Sequence, residues 1–389
     1  MNEPITPVHI KLWHRDFWSL LMALLLLTMS VYALIPVMPR WLMEVENFTP
    51  QETGLSMGVF ALGLYLFGAL CSWLVQLYRR NLVCMWAMLA VAVDIALLWY
   101  LDSLRTEFVE LGVILLQRLL LGAAFGLAQM VLSSTLIIDT CESAYRTEAN
   151  HGAAWFSRMA LSTGPLAGLV TYTFFGFDGV VWLSSGCALL AVVLVKMVKF
   201  PFRTPEDYLS ITSLDRFFLP HGTIVYGHLV VLSLIVGLVL TLPLSELFYS
   251  LIMCGFVLAL LAQQFVFPDA ELKSIVLTGL LLLLASLLIL LGYPSSPMSP
   301  VLMGLAVGLV GSRLLLFLIK LGHHCQRGTS VSTYFLGWET GLALGVALGY
   351  MVFYEASNAL LYTSIVLTVV SLLTYHFFTH TWVQCNKNR

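Results

Sequence analysis

Charge is what this sequence has least of. Only 10% of its 389 residues are Asp, Glu, Lys or Arg, against about 25% in ordinary soluble domains. So few charges cannot clothe a water-facing surface for a chain this long, which excludes a soluble globular protein. The formal net charge of −2 leaves no basic excess to hold nucleic acid. Cysteines number seven, scattered at 71, 84, 141, 187, 254, 325 and 385. None forms a CxxC pair, so neither a disulfide framework nor a thiolate metal site is expected. There is no GxxxxGK[ST], no GxSxG and no HExxH, so ATP is not the direct fuel and these hydrolytic chemistries are set aside. No cofactor is expected. The first apolar run is too long for a signal peptide and lacks a small-residue cleavage site, so it is expected to stay as a signal anchor.

What is present is apolar sequence: 59% of residues are hydrophobic, and mean hydropathy is +0.91. In a bilayer every backbone polar group must be satisfied internally, which leaves helices or a closed barrel. Barrel strands alternate over about 10 residues, whereas the runs here approach the ~20 residues of a spanning helix. The charge-free stretch 275–291 is one of them. The chain is therefore read as all-α and polytopic, with twelve spans at 17–39, 53–77, 82–101, 108–136, 152–175, 179–199, 222–242, 246–267, 274–293, 300–320, 329–353 and 358–379.

An even count places both termini on one side, and the positive-inside rule names it. Lys11, Arg15, Arg79, Arg80, Arg146, Lys196, Lys199, Arg203, Arg216, Lys273, Lys320, Arg327, Lys387 and Arg389 share the terminal side. Only Arg40 and Arg105 fall on the other, and Arg118, Arg158 and Arg313 lie inside spans. Both termini are expected to be cytoplasmic. The longest segment on that side carries Lys199, Arg203, Glu206, Asp207, Asp215 and Arg216. It divides the chain into a six-helix half at 1–198, a linker at 199–221 and a second six-helix half at 222–389.

Two such halves suggest an internal repeat. Arg118-Leu-Leu-Leu-Gly122 in span 4 returns 195 residues later as Arg313-Leu-Leu-Leu-Phe317 in span 10. Between spans 5 and 11 an offset of 181 lays Arg158 on Glu339, Gly164 on Gly345 and Gly168 on Gly349. A 4–5 loop longer than the 10–11 loop would account for the change of offset. Parallel six-helix repeats place a substrate cavity between the halves near the bilayer midplane.

Several segments now resemble the major facilitator superfamily. Its 2–3 loop typically reads G-x-L-x-D-R-x-G-R-R. The corresponding stretch here is Ser72-Trp-Leu-Val-Gln-Leu-Tyr-Arg-Arg80. Leu74 and Arg80 match and Arg79 adds a charge, but Gln76 replaces the usual Asp and Ser72 the first Gly, which puts an Asp-based gate in doubt. Span 4 carries the family's R-x-x-x-G element as Arg118 and Gly122. Span 5 carries Gly164-Pro165-Leu-Ala-Gly168, similar to the G-P-x-x-G element of exporters, and 327–341 looks like the same stretch of bacterial members. The resemblance implies a secondary transporter of a bacterial inner membrane, exporter-like and monomeric, working by alternating access.

Within this frame the candidate residues are few. Arg118 lies about ten residues into span 4, near mid-depth at ~1.5 Å per residue. A charge there costs at least ~2.5–3.5 kcal/mol, so it must face protein, water or a partner charge. It is read as an anion-binding or proton-coupling residue, against a structural ion pair. Arg158 sits close enough to the interface to snorkel. With its repeat mate Glu339 it is a candidate cytoplasmic gate, unless each pairs within its own half. Arg313, mid-span, and Asp94, the only acid well within the first half, complete the charged set. Tyr32, Gln129, Trp155 and Trp338 are candidate cavity lining, although aromatics in spans more often pack or belt the interface. His228 is read as a packing residue, and His323, His324 and Cys325 as a solvated helix end rather than a metal site. Gly164, Pro165 and Gly168, with Arg79 and Arg80, are candidate gating or packing positions. Pro36, Pro39 and Pro165 are expected to bend spans 1 and 5. The glycine series 337, 341, 345 and 349, with Gly122, Gly126, Gly304 and Gly308, is read as tight helix packing.

Three intramembrane arginines against few deep acids imply a positive cavity, hence a small anionic or zwitterionic amphipathic solute, with protons as coupling ion and export favoured. A lipophilic-cation pump would want more acids. The competing classes are a lipid scramblase or polytopic enzyme, which usually needs longer loops around a water-facing site, and a transporter-like sensor or complex subunit.

Overall fold

A computed structural model describes residues 12–103, 110–200, 210–267 and 270–387. Of the residues singled out above, Lys11, Arg105, Arg203, Glu206, Asp207 and Arg389 lie outside these ranges. The described residues form helices and turns, with no strand among them.

The first half runs α1 (Arg15–Tyr32), α2 (Met38–Glu44), α3 (Pro50–Leu66), α4 (Cys71–Leu77), α5 (Arg80–Ser103), α6 (Leu111–Val131), α7 (Ile137–Asp139) and α8 (Arg146–Met197). The second runs α9 (Thr223–Leu240), α10 (Glu246–Leu261), α11 (Leu272–Gly292), α12 (Met298–Leu321), α13 (Arg327–Phe353), α14 (Ser357–Thr374) and α15 (His380–Asn386). Ten helical stretches are long and apolar enough to span by themselves, and the bent pair α3–α4 makes an eleventh. The twelfth hides inside α8. Its 52 residues would run about 78 Å, over twice the ~30 Å hydrocarbon thickness. The chain turns back at Gly176, whose φ of 67° and ψ of −162° suit a residue without a Cβ. The chain is thus an all-α membrane protein of twelve spans in two six-helix halves. Leu62, Trp86, Phe174 and Phe377 are exposed on its outer face, as suits a wall whose solvent is lipid.

Two spans break. Span 1 stops at Tyr32 and resumes at Met38, with Pro36 in the break and Pro39 in the first turn of α2. Span 2 bends by 52° between Leu66 and Cys71 with no proline present. There Ala69 offers its carbonyl to Ser213 N–H of the linker at 2.9 Å, and the Phe217 ring covers Gly68 so closely that a Cβ would lie 2.1 Å from it. The linker satisfies what the bend exposes. Pro165 breaks nothing: within α8 only Gly176 leaves helical geometry.

Neighbours repeat between the halves. In the first, α1 packs on α8, α3 on α6, and α5 on both α6 and α8; in the second, α9 packs on α13, α10 on α12 and α11 on α12. The halves meet where α3 lies against α13 and α8 against α10. The glycines set the register. A Cβ on Gly122 would lie 2.2 Å from the Phe60 carbonyl oxygen and 3.1 Å from Gly63 Cα; one on Gly304 would lie 2.2 Å from the Ile252 carbonyl oxygen and 3.1 Å from Gly255 Cα. These are the same helix crossing made twice. They pair Gly122 with Gly304, an offset of 182 that runs on naturally into the 181 of α8 and α13.

That register corrects the Arg118–Arg313 match. Under it Arg118 falls on Pro300, and Arg313 lies 13 residues, about 20 Å, further along α12. The shared leucines reflect only the leucine-rich composition of both spans. The connections 140–145 and 322–326 are also of nearly equal length, so no long loop is needed to shift the register.

Candidate functional site

The site begins at the break in span 1. Gly164 and Gly168 of α8 seat this turn of chain: added Cβ atoms would lie 2.8 Å from Tyr32 Cβ and 2.2 Å from the Ala33 carbonyl oxygen. The glycines of the Gly-Pro-x-x-Gly stretch thereby fix where Tyr32 points. Its hydroxyl donates to Glu339 Oε2 at 3.0 Å and accepts from Trp338 Nε1 at 3.0 Å. The other carboxylate oxygen, Oε1, accepts from Gln129 Nε2 at 3.0 Å. Glu339 and Trp338 come from α13 in the second half, Tyr32 and Gln129 from α1 and α6 in the first. The carboxylate is 1% exposed and held entirely by the opposite half. A buried carboxylate survives by such bonds, since stripping its water without replacement is costly.

Beside it lies a cavity of about 20 Å³ whose wall includes Tyr32, Met57, Phe60, Arg118 and Glu339, enough for one water molecule. Arg118 is equally buried. Its Nη2 reaches Met57 Sδ at 3.7 Å and its guanidinium stands 5.5 Å from the Phe60 ring centroid, while Nε and Nη1 have no hydrogen-bond partner. Asp94 lies within electrostatic reach of it and accepts from Gln117 Nε2 at 2.7 Å, so a carboxylate and a guanidinium sit at adjoining positions without a direct bond.

Toward the termini the two halves are tied together beyond the central cavity. Tyr65 of α3 shares hydrogen bonds with the Tyr226 hydroxyl of α9 and, at 2.8 Å, with Thr340 Oγ1 of α13. Further out, Arg327 Nη1 donates to the Ser143 carbonyl at 3.4 Å, and a Cβ on Gly328 would lie 2.6 Å from the Ser134 carbonyl oxygen. Toward the other side a cavity of about 360 Å³ opens, lined by Arg40, Glu44, Thr241, Tyr249 and Tyr350. Val346 walls the inner cavity and Tyr350 the outer, so about one turn of α13 separates them.

Tyr32, Gln129, Trp338, Glu339 and Arg118 are thus gathered in one place. Arg158 and Trp155 are not with them. Arg158 and Glu339 do not pair with each other; Arg158 is held partly within its own half, by the Ala154 carbonyl at 3.1 Å. Glu339 reaches into the first half, and Arg158 reaches the Val307 and Gly308 carbonyls of the second at 3.4 Å each. Arg313 is half-buried on α12, away from the central cavity. Arg80 pairs with Asp139 at the end of span 4, while Arg79 lies in a lipid-side groove with Tyr78 and Trp86. His228 is fixed between the hydroxyls of Ser371 at 3.2 Å and Thr379 at 2.6 Å, a packing arrangement. Among the described residues no three His, Cys, Asp or Glu side chains gather as a metal site would require. Sequence reasoning missed Met57, Phe60, Gln117 and the Tyr65–Tyr226–Thr340 cluster. Only Gln117 carried a signal, as a polar side chain beside Arg118 in an apolar span.

The sequence profile of the Major Facilitator Superfamily matches residues 20–269. The chain belongs to that superfamily. Solved structures of several transporters share its fold. The human organic anion transporter MFSD10 (TETRAN) superposes with a TM-score of 0.64 at 16% identity, covering 93% of this chain and 99% of that one. The POT family transporter PepTSo gives 0.68 at 11% identity, covering 96% and 99%. A bacterial homologue of the iron transporter ferroportin, in its outward-facing state, gives 0.64 at 15%, covering 95% and 100%. No curated relative matches the chain in sequence. At such identities the neighbours establish the fold, and family and fold together make this a membrane transporter rather than an enzyme.

Proposed function

We propose that the protein is a proton-coupled secondary carrier that exports a small anionic or zwitterionic amphipathic solute by alternating access. Its six-helix halves, 1–198 and 222–389, rock about the central site, with the linker 199–221 between them. It acts as a monomer in a bacterial inner membrane with both termini cytoplasmic, in line with the lopsided distribution of Lys and Arg in its loops.

One observation carries this reading: the buried Glu339 carboxylate, held by Tyr32 and Gln129 of the opposite half, shares a water-sized cavity with the partnerless Nε and Nη1 of Arg118. An ionised Glu339 accepts both bonds, ties the halves together and offsets the charge of Arg118. A proton on Glu339 removes that negative charge and takes up one carboxyl oxygen. The interface loosens, and Arg118 is left to recruit an anion. Proton and substrate anion thus act on the same pair, which is the elementary requirement for coupling. The phenol of Tyr32 and the indole of Trp338 supply the apolar surface that an amphipathic substrate needs.

The test is transport in proteoliposomes under an imposed pH gradient. Wild type should accumulate an anionic substrate against its concentration gradient, whereas Glu339→Gln should retain exchange but lose gradient-driven accumulation. Unchanged accumulation by Glu339→Gln would sink the coupling role, and unchanged transport of every anion by Arg118→Gln would sink the anionic reading.

A further inference from the structure

The central site leaves one buried charge unexplained. Arg158, on α8, is 1% exposed. Its Nε donates to the Ala154 carbonyl at 3.1 Å and Nη1 reaches two carbonyls of α12 at 3.4 Å, while Nη2 has no hydrogen-bond partner. The guanidinium lies 4.9 Å from the Trp155 ring centroid and 5.5 Å from that of Tyr334. Arg118 has Asp94 within electrostatic reach. For Arg158 the titratable neighbour is the Tyr334 phenol, which itself lies within electrostatic reach of Glu339. Further positive charge stands nearby, since Arg158 and Arg313 both act on His151.

The geometry of the nook is set by Gly311 of α12. A Cβ placed there would lie 2.7 Å from Arg158 Nη1, 3.3 Å from Arg158 Cζ and 3.2 Å from the Tyr334 hydroxyl. Guanidinium and phenol therefore both pack against Gly311, from two helices, α8 of the first half and α13 of the second. The Tyr334 hydroxyl is buried and, like Nη2, lacks a partner. Buried donors without acceptors, around a cation without an anion, cost stability that a ligand's negative charge recovers.

We infer that Arg158 and Tyr334 form a second oxyanion-binding station between the halves, next to the Arg118–Glu339 site and entered when the halves part on the terminal side. Its ligand is a carboxylate, sulfonate or phosphate group. An arginine fork and a phenol O–H suit planar or tetrahedral oxyanions, and the Trp155 ring supports an apolar tail beside them. The inference rests on the anionic-substrate reading and extends it to two successive stops for the same charged group.

Tyr334→Phe is the decisive variant, because it removes a hydroxyl that bonds to nothing in the protein and leaves the fold intact. The purified carrier is titrated with octanoate, octyl sulfonate or inorganic phosphate, and ligand-induced thermal stabilisation is followed. Wild type, Tyr334→Phe, Arg158→Lys and Arg118→Gln are compared. The expected result is that both organic anions stabilise wild type, and that Tyr334→Phe needs about ten- to hundredfold more of them, the usual worth of a hydrogen bond to a charged group. Arg158→Lys, which keeps the charge but loses the fork, should weaken binding as well. Phosphate acting alone with the same Tyr334 dependence would also support the station, with a free oxyanion as its ligand. Equal stabilisation of wild type and Tyr334→Phe, with loss only in Arg118→Gln, overturns the second station while the anionic carrier stands. No stabilisation of wild type by any anion overturns both.

Discussion

The two halves of this protein are alike in how their helices pack and unlike in what they bury. The α3–α6 and α10–α12 crossings match to a tenth of an ångström in their glycine contacts, and equivalent helices have equivalent neighbours. The first half nevertheless buries Arg118 and Arg158 in its spans, with Asp94 beside the former, while the second supplies the buried acid, Glu339. Even the reversal of direction is made differently. The first half turns on one glycine at 176, the second through residues 354–356 between α13 and α14. Symmetric packing is what the proposed rocking of the two halves as equivalent bodies requires. Electrostatics has to be asymmetric, because two identical halves would meet like charge to like charge.

The largest expected effect tests the asymmetry at repeat mates. Glu339→Gln should abolish gradient-driven transport while exchange persists, whereas Arg158→Gln should weaken anion binding; the same phenotype from both, measured by accumulation and counterflow, would break the distinction. Next comes the symmetry of packing. Gly122→Ala and Gly304→Ala each push a methyl against a backbone carbonyl, and each should lower unfolding free energy by about 1–3 kcal/mol. Denaturation in detergent should show matched losses, and Gly112→Ala, which meets nothing within 4 Å, should show none from crowding. A subtler comparison concerns Asp94 and Arg118. A double-mutant cycle of Asp94→Asn with Arg118→Gln should return a coupling of about 0.5–3 kcal/mol, and the cycle of Asp94→Asn with Arg158→Gln should return none. At the turn, Gly176→Ala should cost about 1–3 kcal/mol, because its backbone sits at φ 67°, with no loss of affinity for any anion.

The fold was open to view in the sequence because its cause is local. Length and apolarity name a span, and Pro243 was enough to part α9 from α10. The repeat was harder to read. In α8 and α13, glycine positions anchored the register, and the contacts of Gly164 with span 1 and of Gly345 with α9 follow it. In α6 and α12, a leucine triplet after an arginine misled, because leucines are common enough in spans to match in several registers. The bend of span 2 at Gly68 also escaped, since it depends on a linker 145 residues further on, whose Ser213 N–H meets the Ala69 carbonyl.

For the candidate site, sequence could single out the residue types but not their partners. Depth in the membrane is counted along one helix, so Arg118, Arg158 and Glu339 stood out as buried charges at once. Which helix faces which, and which atoms meet, is decided by contacts between residues 210 and 307 positions apart, such as Gln129 with Glu339 and Tyr32 with Glu339. The sequence alone determined that this chain crosses a membrane twelve times as two related halves, because the bilayer tests each segment separately for length and polarity. Only the tertiary structure decided that Glu339 is bound by the opposite half, that Arg118 shares its cavity and that Arg158 has no acid partner among the described residues, because pairing is a property of surfaces brought together by packing.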